Sequence, residues 1–346
     1  MSDARLFSLY LPASVGGLEL DPVGAFSVTE ALARADGSTA WCAMVSCSVG
    51  VFLGLLEPDG LTEVAGDVGD VRLAGSARPC GTCVPVDGGY RVTGHWNFAS
   101  NVLNANWYVA TCWVEEPGAE GPPTRTRTMV LPVQDGTIDR TWEVMGMRGT
   151  GSNDFIVEDV FVPHVRVAYA RNRQYNATRL YHPQFTQVAS WSPTAGMSIG
   201  VAQGAIDTLG LLGDVQTSMS TKPLRDRPEV QLAVGEAQAM VSAARAYCRS
   251  AIGEAWERLE EPDSPERDRV LAHARASITH ATRSSVQAVD RVFHAAGTGA
   301  IFADNGLERF FRDAHTGVQH ISSADVHLAG AGAVFLGHPL DGAFLK

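Results

Sequence analysis

The chain has no surplus of positive charge. Its 346 residues carry 27 Lys and Arg against 38 Asp and Glu, a formal net charge of −11. Nucleic acid and anionic membrane surfaces require basic patches, so neither is an expected partner. An anionic cofactor needs only a few local Arg side chains and backbone N–H groups, and that possibility stays open. Cysteine is scarce as well. Six residues (Cys42, Cys47, Cys80, Cys83, Cys112 and Cys248) are too few for a disulfide scaffold at this length, and they point to a reducing, cytoplasmic setting. The first residues lack the basic-then-apolar pattern of a signal peptide. The most apolar stretch, residues 39–56, is interrupted by Ser46, Ser48 and Gly50. It falls short of the roughly 20 apolar residues that span a bilayer and reads as a buried helix.

Several catalytic signatures are missing too. There is no Gly-x-Ser-x-Gly elbow and no phosphate-binding Walker loop. Gly297-Thr298-Gly299 follows a helical segment and lacks a third glycine, so no nicotinamide site is read from the chain. Cys80-Gly81-Thr82-Cys83 has no second ligand pair for zinc and precedes a strand rather than opening a helix. His315, His320 and His327 are spaced by five and seven residues, which keeps all three off one helix face and argues against a metal. A single functional histidine remains open, since imidazole titrates near neutrality.

What is present is a balanced globular composition, 45% hydrophobic and 19% charged, in a chain long enough for two or three packed parts. Residues 1–66 read as helical. Asp21-Pro22 looks like a cap followed by proline at the first helical position, and Ser38 is placed to cap the helix over 39–56. Between about 70 and 165, short Val-, Tyr-, Trp- and Thr-rich runs alternate with turn clusters, which predicts antiparallel strands. Asp87-Gly88-Gly89 reads as a hairpin turn and residues 116–123 as a surface loop. From about 185 the pattern is Ala-rich and helical, with four segments near 188–213, 229–260, 266–297 and 305–336 forming a bundle. The polar stretch 169–187 reads as either a mobile loop or a solvated linker. The run from Tyr90 to Ser100 would set Trp96, Phe98 and Ser100 on one strand face, an aromatic surface beside a hydroxyl that suits a flat, hydrogen-bonding ring.

A set of motifs stands in order along the chain: Leu11-Pro12 with Gly16-Gly17, Arg34-Ala35-Asp36-Gly37-Ser38, Gly75-Ser76, residues 94–100, Gly146-Met147-Arg148-Gly149-Thr150-Gly151-Ser152 and Arg312-Asp313 with Gln319-His320. By these motifs the chain resembles the acyl-CoA dehydrogenase superfamily. Within that superfamily it is similar to the two-component flavin-dependent monooxygenases. The resemblance implies an α+β fold with N-terminal helices, a central antiparallel β-domain and a C-terminal four-helix bundle. Its expected boundaries are 1–68 for a shortened N-terminal helical domain, 69–168 for a β-barrel-like domain and 169–346 for the bundle.

The same resemblance implies reduced FMN or FAD as cofactor, delivered by diffusion from a separate reductase. It suggests Trp96, Phe98, Ser100, Arg148, Thr150, Ser152, Gly297 and Arg312 as flavin contacts, with Ser76 near the reactive edge. It also implies a homo-oligomer, a tetramer or a dimer. Many acyl-CoA dehydrogenases carry a carboxylate base eight residues after the Arg-Asp pair; here that position is Ile321. The monooxygenases place a histidine in this segment, and His320 occupies it. The expected reaction is hydroxylation of an aromatic or heteroatom-bearing small molecule, in secondary metabolism. An acyl-thioester FAD dehydrogenase and a flavin-free scaffold or cyclase are the competing readings. Relatives often have Ser-Gly where this chain has Ser100-Asn101.

Overall fold

The computed structural model describes residues 1–66, 69–116, 118, 121–216, 220 and 222–340, so part of the loop expected at 116–123 lies outside the described residues. The chain forms two compact units. The first comprises Met1–Asp21, Cys42–Glu143 and Arg148–Thr186; the second comprises Pro22–Trp41, Val144–Met147 and Gln187–Lys346.

The first unit is built on a seven-stranded sheet. Its strands are β1 (Leu73–Val86), β2 (Gly89–Trp96), β3 (Trp107–Val114), β4 (Thr126–Pro132), β5 (Thr137–Asp139), β6 (Asp154–Pro163) and β7 (Val167–Ala168), in the order β5-β6-β2-β1-β3-β4-β7. Every pairing is antiparallel except that of β1 with β3, which is parallel. The predicted hairpin forms as expected: Val86 pairs with Gly89, and Gly88 takes the positive φ of 78° that a two-residue turn needs. Strand periodicity divides the core. Tyr108, Ala110 and Cys112 join Trp96, Met129, Leu131 and Phe155 on one side. Val109 and Val130 join Leu11, Leu53, Leu56, Leu61 and Val64 on the other. Alternate side chains of β3 and β4 thus enter two different apolar clusters, as a period of two requires.

Residues 169–186 depart from the expected mobile loop or solvated linker. They form three short 3-10 turns that bury Leu180, Tyr181 and Phe185. Tyr181 donates its hydroxyl hydrogen to the Tyr10 carbonyl at 3.0 Å, and Asn176 donates to the Gly54 carbonyl at 3.1 Å. The polar composition had hidden these anchors.

The second unit is helical: α1 (Pro22–Ala33), the start of α2 (Gly37–Gly50), α4 (Thr186–Leu211), α5 (Pro228–Glu257), α6 (Pro265–Ala295), α7 (Leu307–Gly317) and α8 (Asp325–Phe335), with α3 (Pro58–Ala65) belonging to the first unit. Pro22, Pro228 and Pro265 each open a helix, where a missing N–H costs nothing. Ser264 caps α6 by accepting from the Arg267 N–H at 3.2 Å. The cap of α2 is Asp36 rather than Ser38, its carboxylate accepting from the Thr39 N–H at 2.7 Å. Gly196, Gly200 and Gly204 line one face of α4 at helical spacing, and there the backbone of α1 and the residue after it comes close. A Cβ at Gly200 would lie 2.3 Å from the Glu30 carbonyl oxygen.

The expected fourth long helix is two. A 3-10 turn over Ile321–Ser323 separates α7 from α8, and His320 stands at its start with extended backbone. The stretch Gly37–Leu55 reaches 19 residues at a mean hydropathy of 1.6, long and apolar enough to cross a membrane by those measures alone, and 61% of its apolar window is buried inside the fold.

Candidate functional site

The structure gathers the expected residues into two clusters, one in each unit. The first begins where β2 ends at Trp96. The alternation expected through Ser100 stops there, because Phe98 and Asn101 take positive φ angles of 58° and 68°. The segment turns away from the sheet instead of continuing along it. Trp96 is fully buried, its indole N–H donating to the Thr111 carbonyl at 3.3 Å and its ring lying over Gly81 and Gly94. A Cβ at Gly94 would approach that ring to 2.3 Å. Trp96 therefore anchors the sheet core and offers no open face, whereas Phe98 is 67% exposed. The Phe98 ring meets Trp142 edge-on at 6.0 Å. An exposed phenylalanine in left-handed backbone is a strained arrangement of the kind found at binding sites.

The glycine-rich segment after Arg148 zips onto this turn. The Asn101 N–H donates to the Thr150 carbonyl and the Ala99 N–H to the Asn153 carbonyl, both at 2.9 Å. The pairing brings three buried hydroxyls into a chain: Ser100 to Ser152 at 2.7 Å and Ser152 to Thr150 at 2.6 Å. Asn101 takes up this left-handed position itself. Asparagine tolerates left-handed backbone, and its side chain donates to the Leu73 carbonyl at 3.1 Å. Nearby, Asp154 accepts from His95 at 2.6 Å, Asn97 at 2.6 Å and Thr141 at 3.0 Å. Burial opposes its charge, yet the hydrogen bonds from His95, Thr141 and Asn97 hold the carboxyl below its usual range. Ser76 lies at a register irregularity between β1 and β3, accepting from the Arg78 N–H at 3.2 Å. Arg148 is exposed.

The second cluster centres on His320. Its Nδ1 accepts from the Ser322 N–H at 3.3 Å and lies 2.9 Å from the Ser322 hydroxyl. With Nδ1 accepting, the neutral ring carries its proton on Nε2. Helix α6 holds the turn in place: Thr279 donates to the Ser322 carbonyl at 2.7 Å, and Arg283 donates twice to the Ser323 carbonyl. The indoles of Trp41 and Trp191 meet the His320 ring edge-on at 5.5 and 6.1 Å, and His327 meets Trp191 at 5.1 Å. Beneath Trp191, the guanidinium of Arg275 stacks 3.7 Å from the ring centroid. Burial, the Arg275 charge and His327 push the His320 imidazole down to about 4. Burial and Arg275 likewise push His327 down to about 4, against a hydrogen bond to the Ile321 carbonyl at 2.9 Å. Burial also lowers Arg275 itself, to about 9.

Of the remaining expected contacts, Gly297 is exposed just past the end of α6, with a φ of 63°. Arg312 is engaged within its own unit, paired with Glu308 and donating to the Met145 carbonyl at 2.5 Å. The three histidines reach different partners, with His315 on Asp290 at 2.8 Å. A cavity between α4, α6 and α7, lined by Met197, Ser198, Ser285 and Asp313 among others, has room for about one water molecule. Sequence reasoning missed Arg275 and Trp191. The available signal was an arginine flanked by alanines within an alanine-rich stretch, Ala272-His273-Ala274-Arg275-Ala276.

The comparisons with known proteins agree with one another. Residues 193–325 match the family model for the acyl-CoA dehydrogenase C-terminal domain. The chain is 31% identical over 342 residues to the flavin-dependent monooxygenase oxygenase subunit HsaA of Mycobacterium tuberculosis, covering 93% of this chain and 83% of that protein. It is 31% identical to the indole-3-acetate monooxygenase of Pseudomonas putida, covering 97% and 86%. Its fold superposes on the crystal structure of XiaF from Streptomyces sp. in complex with FADH2 and glycerol with a TM-score of 0.86 at 26% identity, covering 98% of this chain and 87% of that one.

Proposed function

Because this chain belongs to the acyl-CoA dehydrogenase superfamily, in its branch of flavin-dependent monooxygenase oxygenase subunits, we propose that it hydroxylates an aromatic small molecule using reduced flavin and O2. The observation that carries the reading is His320. A neutral imidazole stands between two indoles at the break between α7 and α8, next to the position where a dehydrogenase of this superfamily often has its carboxylate base. Among the described residues, the groups gathered around it are indoles, a second imidazole, a guanidinium and a hydroxyl, and none is a carboxylate.

The residues of the first cluster fit a flavin ring. An isoalloxazine presents a flat face and an edge of nitrogen and oxygen acceptors and donors. Phe98 supplies an exposed aromatic surface, and the Ser100–Ser152–Thr150 chain supplies hydroxyls that can both donate and accept. These residues would hold the ring, and Arg148 beside them would meet a phosphate. When bound, reduced FMN or FAD supplies, with O2, the oxygen atom that is transferred. In the second cluster, the His320 Nε2–H is a donor for a phenolic oxygen, held without a net charge. Trp41 and Trp191 give an aromatic substrate apolar walls that keep water away. The reductase that delivers the flavin, a dimeric or tetrameric assembly, a cytoplasmic location and a place in biosynthesis belong to the same proposal and rest on the family. The adjacent exposed side chains of Ile301 and Phe302 support self-association.

The test is flavin titration under nitrogen followed by oxygen. Reduced FMN or FAD is expected to bind at least about tenfold tighter than its oxidised form, a difference of about 1.4 kcal/mol. With an aromatic substrate present, O2 should then yield a product carrying one oxygen atom from labelled O2. A protein that is yellow as purified and is bleached by an acyl thioester would overturn the reading in favour of dehydrogenation.

A further inference from the structure

Among the described residues of the helical unit, Arg275 has the most unpaired buried side-chain nitrogens. Its side chain is fully buried in the middle of α6, and none of its three guanidinium nitrogens has a hydrogen-bond partner among the described residues. Charged side chains are rarely fully buried unless paired, because removing the charge from water is costly. The stack on Trp191 uses only the flat face of the guanidinium. The in-plane N–H groups, the fork that matches a carboxylate in bidentate fashion, stay unused. The titratable side chains that feel this charge are His320 and His327, and both are pushed toward neutrality. Among the described residues no carboxylate answers it.

Trp191 and His320 are partly buried, and the fully buried guanidinium stacks 3.7 Å from the centroid of the Trp191 ring. The same Trp191 ring meets His320 and His327 edge-on, and both imidazoles feel the guanidinium charge. A partner for Arg275 therefore needs an anionic fork and an aromatic body.

Resting on the monooxygenase reading above, we propose that the substrate of this enzyme is an aromatic carboxylate, whose carboxylate is bound by Arg275 while its ring lies among Trp191, His327 and His320. The carboxylate answers the unpaired guanidinium and so fixes the orientation of the ring that is hydroxylated. Arg275 is a specificity-determining residue in this scheme. Burial is the larger cause that keeps His320 neutral, and an anion on Arg275 offsets the Coulombic part that the guanidinium adds, which couples substrate binding to the protonation of that imidazole.

Calorimetry with indole-3-acetate and its neutral amide, on the full chain with and without reduced FMN under nitrogen, tests this. The acid is expected to bind at least about tenfold tighter than the amide. Arg275→Met should abolish that preference by weakening the acid alone, and Arg275→Lys should restore part of it. The melting temperature of Arg275→Met without ligand should be equal to or higher than that of the parent, since an unpaired buried charge has been replaced by an apolar chain of similar length. That result separates lost recognition from lost folding. Equal binding of acid and amide by the parent overturns the proposal. So does an Arg275→Met variant that keeps the preference for the acid but loses affinity for reduced FMN, which would assign the guanidinium to the flavin. A protein that prefers the acid but binds no reduced flavin would instead sink the monooxygenase reading and leave Arg275 as a carboxylate site.

Discussion

The imidazoles of His320 and His327 share one electrostatic environment, and it makes their titration a stability term. Both are pushed from 6.5 to about 4, first by burial and then by Arg275. The unfolded chain therefore binds protons that the folded chain refuses between those two values. Stability is complete above about pH 6.5 and is lost as pH falls toward 4. For one such histidine the loss at pH 4.5 is roughly 2–3 kcal/mol. His327→Gln keeps a donor for the Ile321 carbonyl and removes the titration, so its melting temperature should fall less than the parent's between pH 6.5 and 4.5; parallel curves would refute the assignment. Part of this chemistry could be read from residue order. His320 follows from the motif, and Ser100, Thr150 and Ser152 follow from theirs. Arg275 and Trp191 are 84 residues apart in the chain, and no spacing rule links them.

At the scale of elements, helix α4 shows what its glycines do. Gly200 lets the Glu30 carbonyl approach so closely that any side chain must displace the backbone of α1, whereas Gly210 has nothing within 4 Å. Gly200→Val is expected to destabilise the protein by about 2 kcal/mol, in the range typical of overpacking. Gly210→Ala should stabilise it by up to about 1 kcal/mol through helix propensity. Denaturant unfolding of the two variants checks both signs. The small residues of α4 made close packing legible in the sequence. The break between α7 and α8 was not legible, because residues 305–336 keep a helical pattern throughout. The break follows from side chains on another element: Thr279 and Arg283 of α6 take the Ser322 and Ser323 carbonyls that a continuous helix would use internally. In the same way β2 stops at Trp96 because Phe98 and Asn101 adopt left-handed backbone to meet the 148–153 segment, while alternation alone would carry the strand to Ser100.

For the whole molecule, the likeness to oxygenase subunits predicts a division of labour with a separate reductase. NADH mixed with this protein, FMN and O2 should be consumed no faster than without the protein, and adding a separate flavin reductase should start product formation. Oxidation of NADH catalysed by the oxygenase alone would contradict this. A net charge of −11 leaves the surface unsuited to polyanions, so the buried guanidinium near Trp191 carries weight that a surface arginine would not. The sequence by itself determined the order of helices and strands, the superfamily and the histidine at position 320, because periodicity, turn residues and local motifs are properties of neighbours along the chain. Only the tertiary structure decided that Trp96 is core and Phe98 exposed, that the Ser100, Ser152 and Thr150 hydroxyls form a chain, and that Arg275 is buried without a partner. Burial and charge pairing depend on residues far apart in the chain meeting in space, and that information appears only when the elements pack.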